Sequence, residues 1–234
     1  MHQIRISPAI LERVRQLRGP RAAEPMDWRR TAHLVIDMQN GFLEPGAAVE
    51  VPPARDIVAN INRVSAAVRA AGGLNIFLRY TYDPDETTPW TRWYDGFCAP
   101  EAAERSRRAF LRGAHGHRLW PGLAVHDEDL IVDKTRFSAF TPGTCDLHER
   151  LQESGVGTVI ISGTLTNCCS ESTARDAHQL NYRAIFLADA NATLTDEEHN
   201  ASLNNLCAYF IDVMRVDELL ALAASQEGSA QPLV

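Results

Sequence analysis

The chain has 234 residues, 45% of them hydrophobic and 23% charged, enough for one domain with a full core and too little for two. Its 30 acidic residues outweigh 23 basic ones, and the net charge of −7 argues against nucleic acid or an anionic membrane surface as partner. Five cysteines, an odd number without C-x-x-C spacing, speak against a disulfide framework or a zinc ribbon and for free thiols in a reducing compartment.

Residues 1–30 carry a short helical pattern, with Ile10, Val14 and Leu17 on one side, then Gly19-Pro20 and a polar connector. This reads as an N-terminal helical arm that packs on the domain or on a neighbouring subunit. The first residues lack the basic-then-apolar order of a secretion signal, and the longest apolar runs, such as Leu219 to Ala224, are too short to span a bilayer. A cytoplasmic location is therefore expected.

His33 to Ile36 is a buried first strand that stops at Asp37. Pro53 to Ala71 is a helix with Ile57, Ile61, Val64 and Val68 at helical spacing, ended by Gly72-Gly73, and Leu74 to Tyr80 is a second strand. Residues 81–120 are interrupted by Pro84, Pro89, Gly96 and Pro100 and hold Trp90, Trp93, Tyr94 and Phe97. They read as an irregular aromatic surface excursion, either a loop pinned by its own rings or a lid over a pocket. Leu130 to Lys134 is a third strand, Cys145 to Ser154 a helix, Val156 to Ser162 a fourth strand, and Cys168 to Leu180 the next helix. Arg183 to Leu187 is a fifth strand, Glu197 to Phe210 a helix, Asp212 to Met214 a sixth strand, and Asp217 to Ala224 the closing helix. The polar residues 225–234 read as a disordered tail. Strands that are continuous apolar runs, alternating with helices, imply an α/β fold of three layers, with a six-stranded, mostly parallel sheet in the middle.

In such a sheet a ligand crevice lies outside the carboxyl ends of the strands. Asp37 ends the first strand, Lys134 ends the third, and Cys168-Cys169 follow the fourth. Singly, each has a bland account: a turn carboxylate, a solvated lysine, a small buried thiol. Together they form a coherent set, because a carboxylate can take a thiol proton and return it to a leaving nitrogen while an ammonium keeps the carboxylate ionised.

Three runs carry a resemblance: Leu34-Val35-Ile36-Asp37-Met38-Gln39-Asn40, Asp133-Lys134-Thr135-Arg136-Phe137-Ser138-Ala139-Phe140, and Gly163 through Ala177 with its Cys168-Cys169 pair and Arg175-Asp176-Ala177. Across about residues 31–220 the chain resembles the isochorismatase-like cysteine hydrolases, a family that includes N-carbamoylsarcosine and ureidoacrylate amidohydrolases, nicotinamidases and isochorismatase. The resemblance implies a catalytic triad of Asp37, Lys134 and Cys169, a cis peptide between Thr164 and Leu165, and an oxyanion hole from the amides of Leu165 and Cys169. It also implies no obligatory cofactor and a homodimer or homotetramer. Counting from Gly163 and back from Asp176 both select Cys169, with Cys168 as the alternative nucleophile.

No metal is expected. The stretch Arg79 to Asp85 lacks the histidine of the nicotinamidase metal cluster, and His115-x-His117 reads as loop or supporting residues. Gln39, Phe42, Trp93 and Phe140 are candidate substrate contacts, each with core packing as its alternative. The function expected is hydrolysis of a small amide, ureido or N-carbamoyl compound through a thioester. The alternatives are a vinyl-ether hydrolase and a catalytically silent binding module.

Overall fold

The computed structural model describes residues 1–19 and 25–227. Helix α1 (Pro8–Arg18) precedes strand β1 (Thr31–Ile36) and the short α2 (Asn40–Leu43). Then come α3 (Val58–Ala70), β2 (Leu74–Tyr80), α4 (Thr91–Tyr94), α5 (Pro100–Phe110), β3 (Leu130–Lys134) and α6 (Leu147–Glu153). The second half holds β4 (Thr158–Thr164), a π-helical turn (Thr166–Ser170), α7 (Glu171–Gln179), β5 (Arg183–Ala192), α8 (Asp196–Tyr209), β6 (Asp212–Met214) and α9 (Val216–Glu227). The backbone of 225–227 thus continues α9, where the sequence suggested a tail; residues 228–234 and 20–24 lie outside the described residues.

The six strands form one sheet in the order β3-β2-β1-β4-β5-β6, and every pair is parallel. Successive side chains of a strand face opposite sides, so two cores form. Val35, Phe77, Ile160 and Ile185 join Ile61, Val64 and Val68 of α3 and Leu219 of α9 on one face. Leu34, Ile36, Ile76, Val159, Ile161 and Phe186 meet Leu147 and Leu151 of α6, Ala174 of α7 and Leu203 of α8 on the other. The expected three-layer α/β fold is present, with the sheet parallel throughout. Within it His33 is fully buried, its Nδ1 3.1 Å from Ser65 Oγ and its Nε2 2.7 Å from Ser162 Oγ. Burial lowers its pKa to about 3, so the ring is neutral.

The excursion over 81–120 is more ordered than its prolines suggested. Pro100 opens the eleven-residue α5, a position where proline is favoured because the missing N–H has no partner to lose. Ala103, Ser106 and Phe110 form its buried face, so part of this stretch is core and not surface. Strand β5 also runs five residues beyond Leu187, through an irregularity in which two steps along β4 are matched by five along β5. Asn191 fills the gap, donating from Nδ2 to the Ile161 and Leu187 carbonyls at 2.9 and 2.8 Å. Helix α1 packs on α8, the arm lying on its own domain. Among the described residues, no helix is long and apolar enough to cross a membrane.

Candidate active site

The strand order reverses between β1 and β4, and the crevice of such a sheet opens there. Asp37 follows β1 directly, with φ 52°, and its N–H donates to the Leu78 carbonyl of β2 at 3.0 Å. Lys134 is the last residue of the edge strand β3, two strands away, roughly 10 Å at the usual strand spacing. Its four-carbon stem covers that distance: Nζ donates to Asp37 Oδ2 at 2.8 Å and to the Arg136 carbonyl at 3.0 Å. Both side chains are wholly buried.

Tyr80, register partner of Lys134 at the end of the intervening strand β2, supplies the floor between them. Lys134 Nζ lies 5.4 Å from its ring centroid, and its hydroxyl is 2.7 Å from that of Tyr94 in the excursion. No motif in the sequence singles out Tyr80. The signal for it was positional, since whatever side chain ends β2 must lie beneath a lysine reaching from β3 to β1.

β4 delivers the third group. Gly163 has φ 120°, and a Cβ there would lie 2.1 Å from the Ile36 carbonyl oxygen, so only glycine lets β4 pass β1 this closely. The Thr164–Leu165 peptide is cis. The chain then enters a π-helical turn, not the first turn of an α-helix as the apolar periodicity suggested, and α7 starts only at Glu171. Leu165's carbonyl accepts from the N–H groups of Cys168 and Ser170, both at 3.1 Å, and the Cys169 amide sits between them on the same turn.

Cys169, 2% exposed, faces the Asp37 carboxylate. Among the described residues Asp37 Oδ1, the oxygen not held by Lys134, accepts no hydrogen bond of normal geometry. Burial raises the Asp37 pKa while Lys134 and the Cys169 thiol oppose it. Burial pulls Lys134 down, but Asp37 and Cys169 outweigh it and the ammonium persists. The adjacent Cys168 thiol raises the pKa of Cys169, as burial does, while the Cys169 thiol lowers that of Cys168. Lys134 and Asp37 thus form a buried pair at 2.8 Å, with the Cys169 thiol beside it. Cys168 is the more acidic thiol, yet Cys169 is the one whose thiol acts on the Asp37 carboxylate.

The structure thus gathers Asp37, Lys134 and Cys169, and it separates the candidate substrate contacts. Gln39 is fully buried; its Nε2 donates to the Tyr80 and His117 carbonyls at 3.0 and 2.9 Å, and its Oε1 accepts from the Tyr80 N–H at 2.8 Å. It clamps backbone and has no donor left for a ligand. Phe42 packs on Phe110 with centroids 4.6 Å apart, and Phe140 stacks on Tyr182 at 5.7 Å; both belong to the core. Trp93 is only half-buried, flanked by Trp90 and Phe97 and meeting the Phe137 edge at 5.0 Å. His115 and His117 diverge, the first to Glu44 at 2.8 Å and the second into the interior against Thr81 Oγ1, also at 2.8 Å. Among the described residues no group of three or more His, Cys, Asp or Glu is placed to hold a metal.

Residues 31–218 match the isochorismatase domain family. The chain belongs to the isochorismatase family. It is 36% identical over 178 residues to a protein of Arabidopsis thaliana described as a probable inactive nicotinamidase, covering 75% of this chain and 87% of the relative. It is 30% identical over 214 residues to the ureidoacrylate amidohydrolase RutB of Pseudomonas syringae, covering 85% and 86%. The crystal structure of a cysteine hydrolase from Pseudomonas syringae pv. phaseolicola superposes with a TM-score of 0.77 at 31% identity, over 88% of this chain and 98% of the other.

Proposed function

We propose that this isochorismatase-family chain hydrolyses a small amide, ureido or N-carbamoyl compound through a thioester on Cys169. It is an amidohydrolase, acting on carbon–nitrogen bonds other than peptide bonds, and its RutB relatives support that class. The observation that carries the mechanism is the wholly buried Lys134–Asp37 pair at 2.8 Å with the Cys169 thiol against the same carboxylate.

Asp37 Oδ1 accepts the thiol proton as sulfur attacks the carbonyl carbon, so an S–C bond forms while the carbonyl electrons move to oxygen. The amides of Leu165 and Cys169 receive that oxyanion. Collapse breaks the C–N bond, and Asp37 returns the proton to the departing nitrogen. Water, deprotonated by the same carboxylate, then splits the thioester and frees the acid and the thiol. While sulfur attacks, the proton passes from Cys169 to Asp37 and stays inside the buried trio until collapse sends it out on the amine; Lys134 offsets the negative charge on the carboxylate before the transfer and again after it. Trp93 with Phe137 is the proposed wall for the acyl group.

A panel of carbamoyl, ureido and primary-amide compounds, read by ammonia release, tests this reading. Activity absent from Cys169→Ala, with an acyl mass trapped on Cys169 in the wild type, is the expected result. Full activity in Cys169→Ala refutes it. A silent binding module shows no release from any compound and no fast-reacting thiol.

A further inference from the structure

Behind the turn that carries Cys169 stands a histidine that the mechanism does not use. His199 of α8 is wholly buried. Its Nε2 lies 3.0 Å from the Ala188 carbonyl, which can only accept, so this nitrogen carries the hydrogen. Nδ1 of the neutral ring is then an acceptor, and it takes the Thr166 hydroxyl at 2.9 Å. Burial, reinforced by neighbouring His2, lowers the ring's pKa to about 4, which keeps that arrangement at neutral pH. Thr166 opens the π-helical turn, and its carbonyl lies 3.3 Å from the Ser202 hydroxyl, also on α8. The next residue is held too, Thr193 donating from Oγ1 to Asn167 Oδ1 at 2.7 Å.

The outer face of His199 is covered from far away in sequence. The His2 ring stacks on it with centroids 4.4 Å apart and planes 17° from parallel. His2 Nδ1 is 2.8 Å from Asp196 Oδ1, and Nε2 is 3.1 Å from both the N–H and the carbonyl of Thr193. Either protonation state of His2 is thus satisfied. Asp196, Asn200 and Asn204 recur at one-turn spacing along α8 and engage the segment in order. Gln3 N–H is 3.3 Å from Asp196 Oδ1, Arg5 N–H donates to Asn200 Oδ1 at 2.5 Å, and Ser7 N–H donates to Asn204 Oδ1 at 2.8 Å. Asn200 and Asn204 return hydrogen bonds to the Gln3 and Arg5 carbonyls at 2.8 and 3.0 Å. An otherwise solvent-facing helix surface is matched residue for residue to one extended segment, and that segment ends on the side chain that grips the nucleophile's turn.

We infer that His199 and His2 are positioning residues for Cys169, with the N-terminal segment bracing the reactive turn through their stacked rings. The inference rests on Cys169 being the nucleophile. Neither ring touches the reacting atoms; each acts by fixing where the sulfur stands relative to Asp37. Displacement of a reacting group by about 1 Å can cost on the order of 10²-fold in rate, so loss of either brace shows in reactivity before it shows in global unfolding.

The test measures the rate and pH dependence of iodoacetamide modification of Cys169, distinguished from Cys168 by fragmenting the peptide that carries both, beside urea unfolding of the same samples. His199→Leu is expected to slow modification at least about tenfold and to shift its pH profile, and His199→Gln, which can both donate and accept, to recover most of it. His2→Ala should slow it severalfold, and His2→Phe, which keeps the flat ring, should restore it. Should His199→Leu fail to fold, the His2 pair decides. A fast thiol in the wild type with unchanged rate and pH profile in His2→Ala and in folded His199→Leu overturns this inference alone. Absence of a fast Cys169 from the wild type removes the nucleophile assignment and this inference with it. With a hydrolysable amide in hand, the same variants should lose kcat and keep KM.

Discussion

Acidification should destabilise this protein through two named rings. His33 and His199 are buried and neutral, with pKa values lowered from 6.5 to about 3 and about 4. Below pH 6.5 the unfolded chain takes up a proton at each that the folded chain refuses, so stability falls as pH drops from 6.5 and levels off only below the folded values. One pH unit is worth about 1.4 kcal/mol per unmatched proton. Going from pH 7 to pH 5 therefore removes about 2 kcal/mol at each ring, about 4 kcal/mol in all, a large share of the roughly 5–15 kcal/mol typical of a folded domain. Asp133, whose pKa several partners lower to about 2 although burial alone would raise it, loses its contribution only at more acid pH. Asp37 is shifted upward and acts with opposite sign, but it is common to every variant compared. Urea unfolding followed by tryptophan fluorescence at pH 7 and pH 5 gives the loss directly. The double variant His33→Gln/His199→Gln should lose several kcal/mol less over the same interval than the wild type loses. Equal losses in the two proteins would refute the assignment.

Replacing Lys134 by Met strands the Asp37 carboxylate in a dry site. A stability loss of about 3–5 kcal/mol is expected at pH 8 and a smaller one at pH 5, where the acid form relieves the charge, both read from urea midpoints. Gln39→Leu removes three bonds to backbone and should cost at least about 3 kcal/mol in the same assay, since each orphaned group costs about 1–3 kcal/mol. Gly163→Ala drives a Cβ into the Ile36 carbonyl, part of the backbone and unable to swing aside, and should give little soluble protein; normal yield and melting temperature would count against it. Thr195→Ala deletes the hydroxyl of the capping box at the start of α8 and should lower stability by about 1 kcal/mol in thermal unfolding.

The parts of the fold that sequence reveals are those where one local rule acts alone. β2 lies where its apolar run placed it, because Gly72-Gly73 directly before it is an unambiguous breaker. α5 was hidden because the proline that starts it reads equally as a break. The tail of β5 was hidden because an asparagine side chain, not a repeated apolar pattern, holds it in register. At the site, Asp37, Lys134 and Cys169 could be grouped by their shared strand-end position, since topology alone brings such ends together. Gln39, Phe42 and Phe140 could not be sorted, because proximity along the chain does not say whether a side chain faces the cleft or the support beneath it. Tyr80, His199 and His2 act through tertiary contacts across 11 to 197 positions of sequence, for which no spacing rule exists.

The slip between β4 and β5 has a consequence for anyone who would idealise this sheet. Ala188 lies in the stretch of β5 that runs past β4 unmatched, and its oxygen is taken by His199. Trimming the surplus residues to make the two strands run evenly would enlist that oxygen in the ladder and leave the histidine empty-handed. A tidier strand would loosen the turn at its tip, which makes the imperfection a part to be preserved in any redesign.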